Sequence, residues 1–237
     1  MSGIKCSRAE LAIAVAVAAL VNTWAAPAAR AQALPPVHTD SASIAQARAD
    51  SLRRPYTAAD VAFMTGMIAH HAQAVVMARW APTHGASDDV RTLCARIINA
   101  QQDEIRIMQQ WLSDRRQPVP HPDFDALAAR ADSGTKMPGM DMPGMNHETL
   151  MPGMLTPAQL DTLDRARGPD FDLTFLRGMI QHHRGAVAMV KSLFSTPGAA
   201  QDELTFKLAS DINVDQTTEI ARMQKMLIRA TLGIGSH

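Results

Sequence analysis

The sequence is poor in several things at once, and each scarcity removes a class of protein. Only two cysteines, Cys6 and Cys94, occur among 237 residues. That is too few for a disulfide framework or a thiolate zinc cluster within one chain. Neither sign of charge is in excess, with Lys+Arg and Asp+Glu both at 23. Nucleic-acid binders and polybasic membrane binders carry surplus positive charge, so neither kind of partner is expected. Aromatics make up 4% of the chain, and strand-like alternation is missing. There is no nucleophile triad, phosphate loop or dinucleotide fingerprint. The apolar run from Leu11 to Val21 is short for a bilayer span and follows Lys5 and Arg8. With Ala29-Arg30-Ala31 behind it, residues 1–31 read as a secretory signal. Cys6 precedes the apolar run, which argues against a lipid-anchored cysteine. No later segment is expected to span a bilayer. The mature chain is therefore expected to be soluble, periplasmic or secreted, with no membrane contact after cleavage.

What the chain has in plenty is methionine and histidine, 15 and 9 residues, and they sit in a repeat. Phe63-Met64-Thr65-Gly66-Met67-Ile68-Ala69-His70-His71, followed by Ala74-Val75-Val76-Met77, matches Phe175-Leu176-Arg177-Gly178-Met179-Ile180-Gln181-His182-His183, followed by Ala186-Val187-Ala188-Met189. The offset is 112, as 178 against 66 and 189 against 77 show. Downstream, Gln101, Glu104-Ile105 and Met108-Gln109 match Gln216, Glu219-Ile220 and Met223-Gln224 at an offset of 115 (219 against 104). Each unit therefore reads as two helices joined by a short turn. Thr57 and Asp60 form a capping box, Pro82 and Gly85 end the first helix, and Ser87 or Asp88 caps the next. In the second unit Pro169 and Asp170 open, and Pro197-Gly198 break. Two such hairpins bury their apolar faces best against each other, giving an all-α fold, a four-helix bundle.

The segment between the units differs. Met137-Pro138-Gly139-Met140, Met142-Pro143-Gly144-Met145 and Met151-Pro152-Gly153-Met154, with His147 nearby, cannot be helical. They read as a flexible linker able to wrap a soft cation. Thr156-Pro157 then opens a short helix that stops at Gly168. The chain thus divides into a signal (1–31), a loose lead-in (32–54), a first hairpin (55–116), a Pro/Met-rich linker (117–154), and a short helix with the second hairpin (155–232).

At about 100° per residue, with His70 at zero, Met77, Phe63, Ala74, Met67, His71 and Met64 fall within about 140° of one another. Thr65 and Arg79 fall on the other side. Methionine on such a face is ordinarily core filling. Adjacent histidines duplicated in both halves are harder to account for, since burying an imidazole costs free energy unless it finds a partner. Met67 stands at i+3 and i+4 from His70 and His71, so a thioether and an imidazole can share one ion, and Met179 stands likewise to His182 and His183. Gln101, Glu104, Met108 and their counterparts Gln216, Glu219, Met223 share the apolar face of the partner helices. Glu104 and Glu219 are expected to hydrogen-bond inward histidines, as structural partners or by fixing the tautomer of a ligand.

Thioethers and neutral imidazoles suit Cu(I), and by the same softness Ag(I), whereas iron or manganese wants carboxylates. A di-iron bundle needs about four carboxylates and two Glu-x-x-His pairs, and neither helix pair contains that motif. The duplicated Gly-Met-Ile-x-His-His-x-x-Ala-Val-x-Met, with the downstream Gln-x-x-Glu-Ile-x-x-Met helix, resembles the DUF305 family over about residues 55–116 and 155–232. The resemblance implies a ferritin-like four-helix bundle in an exported bacterial protein linked to copper or silver binding and tolerance. Carried across by position, it implies Met67, His70, His71 and Met77, then Met179, His182, His183 and Met189, as metal ligands. Leu176 in place of Met64 and Val190 in place of Ala78 make the halves unequal.

The leading expectation is binding without turnover: sequestration or transfer of Cu(I), and of Ag(I) by the same chemistry, with other periplasmic copper-handling proteins as exchange partners and self-association left open. Two rivals stand beside it. One is a ferritin-like metal oxidase using Glu104 and Glu219. The other is a structural or interaction bundle whose histidines merely satisfy those carboxylates.

Overall fold

The computed structural model describes residues 55–125 and 150–232, together with 44–46 and 49. The signal segment, most of the lead-in, and Met137, Met140, Met142, Met145 and His147 lie outside the described residues. Among the described residues five helices have defined bounds: α1 (Ala58–Arg79), α2 (Asp88–Asp114), α3 (Pro157–Arg165), α4 (Gly168–Ser195) and α5 (Glu203–Leu232). Among the described residues there is no strand.

Local chemistry sets the boundaries. The Thr57–Asp60 capping box opens α1, Ser87 caps α2, and a second capping box, Thr156 with Gln159, opens α3 with Pro157 in its first turn. Gly85 and Gly198, at φ 71° and 79°, supply the left-handed backbone that turns each hairpin. The two repeat offsets acquire a physical meaning. The residue equivalent to Arg79 is 191, yet α4 continues four residues further, to Ser195. The turn that follows, 196–202, is one residue shorter than 80–87, which leaves the net three separating 115 from 112.

In each hairpin α1 packs on α2 and α4 on α5, and the hairpins meet through α1 and α4. The ends are tied reciprocally. Asp60 at the start of α1 accepts from the Ala200 N–H of the second hairpin's turn at 2.7 Å. Its counterpart Asp172 accepts from the Ser87 N–H of the first hairpin's turn at 3.2 Å. At one pole the buried Arg115–Asp202 ion pair joins α2 to the start of α5. There Trp111 also donates Nε1–H to Asp202 at 2.8 Å.

The sequence reading gave α1 one inward face; the structure buries it almost all round. Thr65, expected outside, is buried and returns its hydroxyl to the Val61 carbonyl at 2.8 Å. A helix apolar on every side belongs in a core. For the same reason α1 is long and apolar enough to cross a membrane, against the expectation that no such segment follows the signal, yet 83% of that stretch is buried inside the protein.

A second difference concerns the linker. Its last repeat is a docked strap over α1 and α4. Gln73 grips Leu155 from both sides, donating to its carbonyl at 3.0 Å and accepting from its N–H at 2.8 Å. Gly153 (φ 77°) lies directly on Gly185 of α4. A Cβ on Gly185 would sit 2.6 Å from Gly153 Cα and overlap the Pro152 carbonyl oxygen. Met154, expected to be flexible, is buried, and Met151 is half-buried.

Alanine normally favours a helix interior over glycine by about 1 kcal/mol. Gly185→Ala is expected to do the reverse, lowering stability by about 1–3 kcal/mol because the strap must lift or the helix shift. Urea denaturation measures this; a stability equal to or above that of the parent would show that the strap is not seated on α4.

Candidate metal centre

Both helices of the antiparallel α1–α4 contact carry a glycine that faces the other helix. A Cβ on Gly66 would lie 3.5 Å from Met189 Cε, and one on Gly178 would lie 3.5 Å from Met77 Cε. Each glycine thus faces the methionine of the opposite repeat. Midway between these contacts the two equivalent histidines meet, with the His70 and His182 ring centroids 3.8 Å apart. His71 follows His70 at 6.5 Å and His183 follows His182 at 6.3 Å. All four imidazoles are fully buried, as are Met64, Met67, Met77 and Met179. Met189 is half-buried.

The outer histidines are held by carboxylates from their own hairpins. His71 Nε2–H donates to Glu104 at 2.6 Å, and His183 Nε2–H donates to Glu219 at 2.6 Å. His70 Nε2–H donates to the Pro152 carbonyl of the strap at 3.0 Å. A carboxylate or carbonyl oxygen accepts only, so a proton sits on Nε2 in all three rings, and a neutral ring of this tautomer has its Nδ1 lone pair free. Among the described residues none of these Nδ1 atoms has a hydrogen-bond partner, and neither ring nitrogen of His182 makes a hydrogen bond of normal geometry. Five buried imidazole nitrogens are therefore unsatisfied, at about 1–3 kcal/mol each. Gln101 and Gln216, one turn before the two glutamates, are also buried with unsatisfied amide atoms. Met108 and Met223 lie wholly in the two apolar clusters beside them.

Burial, reinforced by the neighbouring His71, pulls the His70 pKa down from 6.5 to about 3. Burial likewise holds His182 well below the usual imidazole range, with the His70 and His183 charges adding to the effect. Both rings are thus neutral, the form in which imidazole binds metal. Burial, with Asp172 nearby, pushes the Cys94 thiol up to about 12, so it stays protonated as a core residue. Among the described residues no three His, Cys, Asp or Glu side chains converge on a common point, so any ion here must draw on thioethers as well. Between α2 and α5 a cavity of about 330 Å³ has Glu104, Asp211 and Asp215 in its wall. Burial and the nearby Glu104 and Glu219 push the Asp215 carboxyl up.

The structure thus sets the four histidines in one row closed by Glu104 and Glu219, while the inward methionines divide between two apolar clusters, Met77 and Met179 in one and Met64 and Met67 in the other. From the linker, Met151 reaches Gly66 with its sulfur, and Met154 is buried. Asp60 and Asp172 had a visible signal, since they too obey the offset of 112. The Pro152 carbonyl had none.

Paired helical hairpins burying a row of imidazoles among thioethers define the class of this protein. The chain belongs to the DUF305 family, a domain of unknown function, which matches residues 60–227. It is similar to the crystal structure of a DUF305 protein from Streptomyces coelicolor inferred to be secreted, with 28% identity over 76% of this chain and 98% of that one, at a TM-score of 0.58. A DUF305 fragment from Deinococcus radiodurans is 29% identical over 74% of this chain and 99% of that one, at a TM-score of 0.54. CopM in its Cu(II)-bound form is 28% identical over 72% of this chain and 96% of that one, at a TM-score of 0.50. No curated protein matches the chain.

The depressed His70 and His182 have a sign that can be checked. The unfolded chain takes up their protons near pH 6.5 and the folded chain does not, so stability is lost as pH falls below about 6.5. Each histidine contributes up to about 1.4 kcal/mol per pH unit to this slope. Denaturation midpoints between pH 7 and 4 should fall with a slope that His70→Leu makes shallower. An unchanged slope would mean that His70 is protonated in the native state.

Proposed function

We propose that this protein is an exported carrier or store of a soft monovalent cation, Cu(I) and by the same chemistry Ag(I), which it binds without turnover. The observation that carries this reading is the set of five buried imidazole nitrogens with no hydrogen-bond partner among the described residues, in a core that also holds wholly buried thioethers. Neutral imidazole and thioether are the donors that select soft cations in a compartment where thiols oxidise. The metal is cargo. The residues that would hold it are Met67, His70, His71 and Met77 from the first hairpin and Met179, His182, His183 and Met189 from the second. Glu104 and Glu219 orient the outer rings, fixing Nε2–H and leaving Nδ1 to bind, as carboxylates behind metal-bound histidines do. The similarity to CopM in its Cu(II)-bound form supports a copper ligand. The basic, apolar and small-residue order of residues 1–31 and the similarity to the Streptomyces coelicolor protein support export.

A purely structural bundle accounts for His71 with Glu104 and His183 with Glu219, but leaves the five nitrogens unexplained. An oxidase would need carboxylates free to bind iron, whereas Glu104 and Glu219 are each engaged by a histidine.

Anaerobic equilibrium dialysis with Cu(I) against a competing chelator tests the reading. The parent should bind, and its thermal transition should rise, by the equivalent of about 2.7 kcal/mol at a hundredfold excess over Kd. Joint replacement of His70, His71, His182 and His183 by leucine should abolish both effects. Unchanged stoichiometry in that variant would remove the bundle from the proposal. Glu104→Gln and Glu219→Gln should each weaken binding about 10–100-fold, which the same dialysis reads. Deleting 137–147 while leaving the strap tests the remaining linker methionines separately.

A further inference from the structure

The strap crosses the α1–α4 seam asymmetrically. The seam itself is close to two-fold: Gly66 faces Met189, Gly178 faces Met77, and His70 faces His182. The strap runs across it in one direction only and so meets the two glycines with different residues. At Gly66 it places Met151, whose Sδ would lie 3.3 Å from a Cβ built there. At Gly178 it places Leu155, whose Cδ2 would lie 3.0 Å from the equivalent Cβ. A sulfur on one side is matched by a methyl group on the other.

We infer that the molecule holds one tight soft-cation site rather than two, in the Gly66 half, and that the strap completes it with the Met151 thioether. The inference rests on the soft-metal reading and goes beyond it by assigning a stoichiometry and a ligand. Met151 from the strap and Met189 from α4 converge on Gly66. His70 lies one helical turn further along α1, and its Nε2–H is taken by the carbonyl of Pro152, the residue next to Met151. Docking the strap therefore brings in a sulfur and fixes the tautomer that leaves His70 Nδ1 free. Gly153 and Gly185 are the positioning residues, because only their bare Cα atoms let Pro152 reach His70. Two thioethers and an imidazole form a soft donor set suited to Cu(I) or Ag(I). The Gly178 half has Met77 and His182, but Leu155 contributes no lone pair.

The test uses the full mature chain labelled at the methionine methyls with carbon-13, titrated with Ag(I) and followed by NMR and by native mass spectrometry. In the parent, the first equivalent should shift the Met151 and Met189 methyls and leave Met77 in place. Met151→Leu should weaken the tightest site at least tenfold. Leu155→Met should add a second tight equivalent. The inference is overturned if Met77 and Met189 respond together at the first equivalent, or if Met151→Leu binds as the parent does. The labelled parent keeps the question decidable should a variant fold poorly. A parent that binds no Ag(I) or Cu(I) overturns the soft-metal reading and this inference together. A parent that binds through its histidines but is indifferent to Met151 overturns this inference alone.

Discussion

The close antiparallel contact of α1 with α4 is the constraint on which the rest depends. Along it Gly66 and Gly178 each face the methionine of the opposite repeat, and two tilted imidazoles meet at 3.8 Å in the core. A side chain at either position would press first on the strap, on Met151 at Gly66 and on Leu155 at Gly178. At that distance a proton on one ring opposes a proton on the other, and burial disfavours both. The contact therefore fixes the charge state of the centre as well as its shape. The flanking helices answer to it. Glu104 and Glu219 lie where they can take the outward N–H of the next ring on each side, so the row of histidines ends in carboxylates rather than in hydrocarbon.

The strap answers to the same contact from another side. It docks against α1 through Gln73 and supplies the Pro152 carbonyl as a backbone acceptor for the inner histidine His70. Its specificity is steric more than energetic, since glycine is required where the two backbones touch. Gln73, in the first repeat, occupies the position that Gly185 takes in the second. One anchors the strap by hydrogen bonds and the other by making room.

Much of this was legible in the residues. The repeat offsets, the capping boxes and the Pro-Gly breaks placed both hairpins and the short helix within a few residues, because those signals are local. The inward direction of the histidines followed from helical periodicity. What escaped depended on contacts distant in sequence. Thr65 was read as outward because periodicity supposes one buried face, and α1 is covered on every side. The Met-Pro-Gly-Met segment was read as loose throughout, since proline and glycine exclude a helix without saying whether another surface receives the loop. Gly185 could be seen to depart from Gln73, but its use appears only when Gly153 is laid upon it. Asp60 and Asp172 share the repeat offset, yet their partners are backbone N–H groups of the opposite turn, which have no sequence signature.

The exchange of methionines across the seam has a bearing on chain integrity. Each hairpin sends one methionine onto the glycine of the other, so each half is packed in part by its neighbour. Joined, the halves associate at an effective concentration set by the tether; separated by a proteolytic nick in the connection, they would meet only at their bulk concentration. Since the strap stays with the second half, such a cut would also take from the first its cover over α1 and the acceptor of His70. One broken peptide bond far from the histidines would thus act on the whole centre at once.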